Sequence, residues 1–192
     1  MFNLHCIPDG STVFVVSSDT DQTTRFIQEI LRVKAYIPHT VMFYKDRLYS
    51  DILVKQEILD RQSKLFSERY TCPDRDPRMI AVFDNCFPNE TWKVDLCMAP
   101  FFTMGRSYAI TSLFGVLSIG RLPPTRQHGI DLLFIGPSLQ KVERQQLFDR
   151  FIYHCSFESF SNRLDVEGWL VIRLDVAEAL IQKLDSTLFC NC

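Results

Sequence analysis

Thr12–Lys34, TVFVVSSDTDQTTRFIQEILRVK, is the stretch from which the rest of the chain can be read. Its opening run, Thr12 to Val16, is β-branched and apolar without alternation, which predicts a strand buried on both faces. Serines and aspartates follow and predict a turn. Beyond them Phe26, Ile27, Ile30, Leu31 and Lys34 recur at three- and four-residue spacing. That period predicts a helix burying this face and turning Arg25, Gln28, Glu29 and Arg32 outward. Thr20 or Asp21 is suited to cap its N-terminus.

The same grammar extends along the chain. Residues 1–11 form an entry arm with a turn at Pro8-Asp9-Gly10. Pro38 closes the first helix region, Thr40–Tyr44 reads as a second strand, and a second helix is expected from about Ser50 to Arg69, with Ile52, Leu53, Ile58, Leu59, Leu65 and Phe66 as its stripe. Cys72–Pro77 is a break. Met79–Phe83 is a third buried strand, ended by Asp84-Asn85. A short helix is expected within 89–104, carrying Trp92, Leu96, Phe101 and Phe102. Ala109–Leu117 and Asp131–Ile135 are further strands, separated by the loop Ser118–Gly129. Helices at Gln140–Phe151 and 157–164, a strand at Trp169–Leu174 and a last helix at Val176–Leu184 complete the prediction. Alternating strands and helices imply an α/β fold: a mostly parallel sheet, right-handed crossovers and helices on both faces. With no repeat, low-complexity tract or linker, residues 1–192 read as one domain.

Composition sets further bounds. The chain is 46% apolar and 23% charged, with a formal charge of −2, so no broad basic face is expected and any DNA contact would be local or made by an oligomer. The seven cysteines, Cys6, Cys72, Cys86, Cys97, Cys155, Cys190 and Cys192, show no CxxC pair or zinc-type spacing and read as reduced thiols. Cys190-Asn-Cys192 reads as a frayed tail. The N-terminus lacks a signal-peptide pattern, and the longest apolar stretch, Ala109–Ile119, is about half a membrane span. The expectation is an intracellular protein without membrane contact. The four histidines suggest no metal site or nucleophile triad, and serine or cysteine hydrolase motifs are absent.

Nucleotide-binding loops follow the pattern G-x-x-x-x-G-K-[ST] between a strand and a helix. Laid on this chain, the first Gly falls on Ser17, the second on Gln22, the Lys on Thr23 and the hydroxyl residue on Thr24. Ser17 and Gln22 are poorly suited to the positive-φ turns that glycine supplies. Asp19 and Asp21 bring carboxylates to where phosphate oxygens would sit, a repulsion of about 1–4 kcal/mol at surface-like dielectric. Arg25 is the nearest cation, and its helical position turns it to solvent. An apolar strand ending in Asp84 has the pattern of a magnesium-binding Walker B strand. Asn85 stands where a catalytic carboxylate would follow, and an amide cannot serve as the general base. Ser118 occupies the place of a polar sensor at a strand end, while Arg106 and Arg126 are candidate arginine fingers acting across a subunit boundary. Each feature alone is also compatible with ordinary α/β structure, a strand-ending Asx pair or solvated arginines.

In sequence order these pieces resemble the poxvirus-type genome-packaging ATPases of large DNA viruses, in the FtsK/HerA branch of P-loop ATPases. Four stretches carry the resemblance: PDGSTVFVV, MIAVFDNCF, FFTMGRSYAITSLFGVLSIGRLPPTRQHGIDLLFI and FESFSNRLDVEGWLVIRLD. The third is the most specific, keeping Gly105-Arg106, Ser118, Pro123-Pro124, Arg126 and Asp131 at the family's spacing. The resemblance spans about residues 8–185 and implies an additional-strand, RecA/FtsK-like P-loop NTPase fold. The departures gather at the chemistry: the loop glycines and Lys, the carboxylate at Asn85, Met104 in place of Asn before Gly105, and Gly120 where a sensor Gln is expected. The resemblance therefore implies a pseudo-ATPase of the virion or of the infected cell's cytoplasm (virus factory), without a nucleotide cofactor, partnered by other viral proteins or by itself. The alternative it implies is a divergent active motor using Mg-ATP, with Thr24 and Asp84 at the magnesium, to translocate viral DNA.

Overall fold

The computed structural model describes residues 1–44, 52–68, 76–85, 98–103, 105–118, 120, 129–174 and 180–184. A short 3-10 turn at Leu4–Cys6 precedes strand β1 (Thr12–Val16) and helix α1 (Thr20–Val33). Then come β2 (His39–Tyr44), α2 (Ile52–Glu68) and β3 (Met79–Asp84). Two short helices, α3 (Ala99–Thr103) and α4 (Gly105–Tyr108), lead into β4 (Ile110–Val116). The chain continues through β5 (Leu132–Ile135), α5 (Lys141–Phe151), α6 (Phe157–Glu167), β6 (Leu170–Arg173) and β7 (Leu180–Lys183).

The strands form one sheet in the order β2-β3-β4-β1-β5-β6-β7. The first five run parallel, and β6 pairs antiparallel with both β5 and β7. The expected α/β sheet is present, mostly parallel, with a reversed strand near one edge. Every residue of β1, β3, β4 and β5 is buried, as unalternating apolar runs require when helices cover both faces.

The two faces are different cores. Phe43, Phe83, Phe114 and Phe14 lie in register across β2, β3, β4 and β1, with ring centroids 4.7–4.9 Å apart, and Phe102 of α3 stacks on Phe114 at 4.5 Å. This ladder packs with Ile58 and Leu59 of α2, Leu147 and Phe151 of α5, and Phe160 and Leu164 of α6. The other face carries Val13, Val15, Ile80, Val82 and Leu113 under Phe26, Ile27, Ile30 and Val33 of α1, together with Phe2 and Leu4 of the entry arm.

Some elements differ from the sequence reading. The last helix expected, Val176–Leu184, is replaced over Leu180–Lys183 by strand β7. Its alanine- and leucine-rich sequence favours helix locally. The open edge of β6 instead supplies a ladder, Leu184 is buried, and Phe2 N–H donates to Lys183 O at 2.7 Å. Tertiary pairing overrides propensity here. The cap of α1 is Asp19, one residue before the candidates Thr20 and Asp21, both of which are helical. Of the short helix expected within 89–104, Ala99–Thr103 is present with Phe101 and Phe102 buried, whereas Trp92 and Leu96 lie outside the described residues.

Lys34 is buried with the α1 stripe, as its spacing suggested, but as a satisfied charge. Its ammonium donates to Ile7 O at 2.5 Å, Asp9 Oδ1 at 2.9 Å and Tyr36 Oη at 2.7 Å.

Candidate functional site

Of the site residues read from the sequence, Ser17, Gln22, Thr23, Thr24, Asp84, Asn85 and Ser118 lie at the C-terminal edge of the parallel strands, where β3, β4 and β1 end side by side. This is the edge at which open α/β sheets seat ligands.

The β1–α1 connection is short. β1 ends at Val16 and α1 begins at Thr20, so only Ser17, Ser18 and Asp19 lie between them. Thr20, Asp21 and Gln22, which the phosphate-loop pattern would place in the loop, belong to the helix. Asp19 Oδ1 accepts the N–H groups of Asp21 at 2.9 Å and Gln22 at 3.2 Å. These helix-start donors are what an anion bound there would need. No residue from Ser17 to Thr24 has positive φ: the described non-glycine residues that do are Asn85 and Ala109. The glycine-shaped wrap of a phosphate loop is therefore not formed. Thr23, at the position of the loop lysine, is fully buried, and its hydroxyl donates to Asp19 O at 3.1 Å. Arg25 is exposed.

Ser17 is also fully buried and sits at the centre of a hydrogen-bond chain. Its hydroxyl donates to Gln22 Oε1 at 3.1 Å, accepts Asp19 N–H at 3.2 Å and lies 2.7 Å from Ser138 Oγ. Ser18 Oγ donates to Ser138 O. Ser138, on the turn after β5, was not singled out from the sequence; the Gly136-Pro137-Ser138 breaker signal at a strand end is what could have pointed to it.

Two strands away, Thr24 Oγ1 donates to Asp84 Oδ2 at 2.7 Å. Thr24 reaches the end of β3 across β4 because β4 carries Gly115 there. A Cβ on Gly115 would stand 2.7 Å from Asp84 Oδ1, 2.8 Å from Thr23 Cγ2 and 2.9 Å from Ile27 Cδ1. A glycine inside an otherwise apolar strand signals such a close approach, a signal that the sequence reading did not use. Burial of Asp84, which is 7% exposed, pushes its carboxyl pKa above the ordinary value, against the opposing effect of the Thr24 hydrogen bond.

Asn85 adopts φ 51°, a left-handed conformation that Asn tolerates better than Glu. Its N–H donates to Gly115 O at 3.1 Å and its Nδ2 approaches Asp84 Oδ1 at 3.4 Å, while its Oδ1 is buried and finds no partner among the described residues. Ser118, half-buried just past β4, accepts Gly120 N–H at 3.3 Å on this same edge.

Arg106 lies elsewhere. In α4 it is 65% exposed and pairs at 2.7 Å with Asp131 Oδ1, whose Oδ2 accepts Thr12 N–H at 2.8 Å. Both contacts sit at the start of the strands, the opposite edge of the same chain. Gly105 before it is a packing residue, since a Cβ there would stand 2.6 Å from Ile110 O and 2.7 Å from Gly10 O. Arg126, Met104 and Pro123-Pro124 lie outside the described residues.

Among the described residues no group of three or more His, Cys, Asp or Glu gathers to hold a metal ion. Thr24 and Asp84 supply a hydroxyl and a carboxylate of the kind that holds magnesium. The β1–α1 turn offers a phosphate neither a wrapped backbone nor a lysine, and Asp19 already takes the helix-start donors.

No family model matches the chain, and no curated protein matches it in sequence. Solved structures do match. The genome packaging NTPase B204 of Sulfolobus turreted icosahedral virus 2, in complex with AMPPCP, superimposes with TM-score 0.60 at 12% identity over 92% of this chain and 98% of that one. Its AMP complex gives 0.58 at 10% identity over 93% and 100%. B204 of Sulfolobus Turreted Icosahedral Virus, described as its DNA-packaging ATPase, gives 0.56 at 11% identity over 92% and 98%.

The fold is that of a viral genome-packaging NTPase. At this identity the likeness is one of architecture. In this chain the Thr24–Asp84 contact ties the first turn-and-a-half of α1 to the end of β3, and the turn at Ser17–Asp19 is three residues long, without positive φ and capped by a carboxylate. No helix among the described residues is long and apolar enough to cross a membrane.

Proposed function

We propose that this chain is a pseudo-ATPase: a packaging-NTPase fold that serves a structural, assembly or regulatory role related to viral DNA packaging or to the virion, without hydrolysing ATP. The observation that carries this reading is the Asp19 carboxylate on the N–H groups of Asp21 and Gln22, at the end of a connection too short and too acidic to wrap phosphates. Asn85 strengthens it, because an amide accepts no proton from an attacking water at neutral pH. The partners are then proteins, either other viral components or further copies of this chain, in the virion or the infected cell's cytoplasm. DNA contact is not needed for such a role, and a net charge of −2 gives it little general support.

A second reading, a divergent ATPase that translocates viral DNA, is favoured by one observation. Thr24 and Asp84 remain in contact at 2.7 Å, as a magnesium site would require. Magnesium would there supply charge neutralisation for a phosphate. This chain's own residues would have to free the helix start, and an arginine such as Arg25, or Arg106 or Arg126 of another copy, would have to replace the lysine.

Calorimetry with Mg-ATP, alongside thermal melts, separates the two. The pseudo-ATPase gives no binding heat and no melting shift at millimolar nucleotide. A stabilisation approaching about 2.7 kcal/mol, the value for ligand at one hundred times Kd, would overturn the proposal and favour the second reading.

A further inference from the structure

The turn after β5 is braced from the helix side by an arginine. Arg144 of α5 is only 12% exposed. It donates to Pro137 O at 3.0 Å and Leu139 O at 2.8 Å, the carbonyls on either side of Ser138. On its other side it meets α6, through Ser161 Oγ at 3.0 Å, Ser161 O at 3.4 Å and Asp165 Oδ1 at 2.7 Å. With both flanking carbonyls turned to the guanidinium, Ser138 is left to face β1. There its carbonyl accepts the Ser18 hydroxyl and its own hydroxyl lies 2.7 Å from Ser17 Oγ.

Proton counting gives this chain a direction. Ser17 has one hydroxyl proton, and Gln22 Oε1 can only accept it. Ser138 therefore donates to Ser17, and Ser17 to Gln22 in the first turn of α1. Gly136 permits the approach, since a Cβ there would stand 3.0 Å from Ser17 Cβ and 3.0 Å from Trp169 Cη2.

We propose that Arg144 and the 136–139 turn form a latch that holds the β1–α1 turn closed from the β5 side. In this contact Ser138 occupies the hydroxyls of Ser17 and Ser18 on the β1–α1 turn. Arg144 is the positioning residue, Ser138 the contact, and α6 the anchor. The inference rests on reading the β1–α1 turn as the vestigial phosphate site.

Amide hydrogen exchange on the full chain tests it. The reporter is Asp19 N–H, bonded to Ser17 Oγ, and the control is Asn85 N–H, bonded to Gly115 O on the far side of the site. Arg144→Gln is expected to speed exchange at Asp19 at least tenfold and leave Asn85 unchanged. Ser138→Ala, which leaves the Arg144 contacts in place, should raise exchange at the same turn by a smaller factor. Faster exchange confined to 137–139 and α5, with Asp19 unmoved in both variants, would overturn the latch. Should Arg144→Gln loosen the whole fold, Ser138→Ala decides alone, and no change at Asp19 in that variant counts against the proposal. The outcome is separable from the function. ATP binding by the native chain would sink the pseudo-ATPase reading whether or not the latch couples the turns, and an uncoupled latch would leave that reading standing.

Discussion

The two edges of the parallel sheet carry charge in opposite ways. At the start of the strands, cations meet anions: Lys34 and Arg78 both bond Asp9, Arg78 also clasps Asp76, Tyr36 lies under both cations, and Arg106 pairs with Asp131. At the ends of the strands, apart from Arg144 beside the β5 turn, the contacts described are hydroxyl, amide and carboxylate: Ser17, Gln22, Ser138, Asp19, Thr24, Asp84 and Asn85. One edge has the satisfied pairing of a structural network. The other keeps acceptors gathered at a ligand edge without the lysine that a phosphate-binding turn would need. Packing is enforced by every buried residue, whereas the chemistry of a site rests on only a handful.

The largest expected effect lies at the paired edge. Lys34→Ala leaves the carbonyl of Ile7, Asp9 and Tyr36 without their shared donor, and should cost about 2–4 kcal/mol, less than a wholly buried pair because Asp9 is a third exposed. Urea denaturation measures it. A loss below half a kcal/mol would mean that this edge is no more structural than the other.

Next comes the ligand edge's own packing. Gly115→Ala forces a methyl against Asp84, Thr23 and Ile27, and should cost about 1–3 kcal/mol by overpacking. A neutral result would show that α1 can lift from β4, and with it that the Thr24–Asp84 contact is adjustable.

Asp84→Asn should act in the other direction. Burial raises the folded-state pKa of Asp84, so its ionisation costs stability as pH climbs from the ordinary carboxylate value through the raised one, and the cost is complete above the raised value. The variant should gain up to about 1 kcal/mol at pH 7 and nothing near pH 3, below the ordinary value. Denaturant midpoints at the two pH values check this. A loss at pH 7 would reveal a bound cation and blur the contrast between the edges.

The smallest effect is expected at Asp76. Hydrogen bonds from Arg78 hold its pKa below the ordinary value against slight burial. Its contribution is present above that ordinary value and lost as pH falls through the lowered one. With the pair more than a third exposed, Asp76→Asn should cost a few tenths of a kcal/mol at pH 7, visible as a small shift of the thermal midpoint and absent in strong acid.

Much of the fold was legible because burial on both faces leaves a plain mark. Thr12–Val16 and Met79–Asp84 could hardly be anything but central strands, and α1 was announced by Phe26, Ile27 and Ile30. The edge of the sheet was less legible. Leu180–Lys183 has a helix-forming composition, and only the unpaired side of β6 turns it into a strand. The site divides in the same way. Thr24 and Asp84 stand out in sequence because one sits at a pattern position in the helix after β1 and the other ends an apolar strand. Ser138, Gly136 and Arg144 do not, because their role depends on β5 lying beside β1, an adjacency that no local pattern records.

What the amino-acid sequence determined by itself was the alternation of buried strands and amphipathic helices, and the identities Ser17, Gln22, Thr23 and Asn85 at the positions on which the loop and strand patterns fall. These follow from side-chain chemistry and local period alone. What only the tertiary structure decided was that Asp19 caps α1 across the donors a phosphate would use, that Gly115 lets Thr24 reach Asp84, and that Arg144 aims Ser138 at Ser17. Each of these depends on atoms far apart in the chain being held within a hydrogen-bond length or a van der Waals contact, or on where a helix begins, and those are settled by packing rather than by pattern.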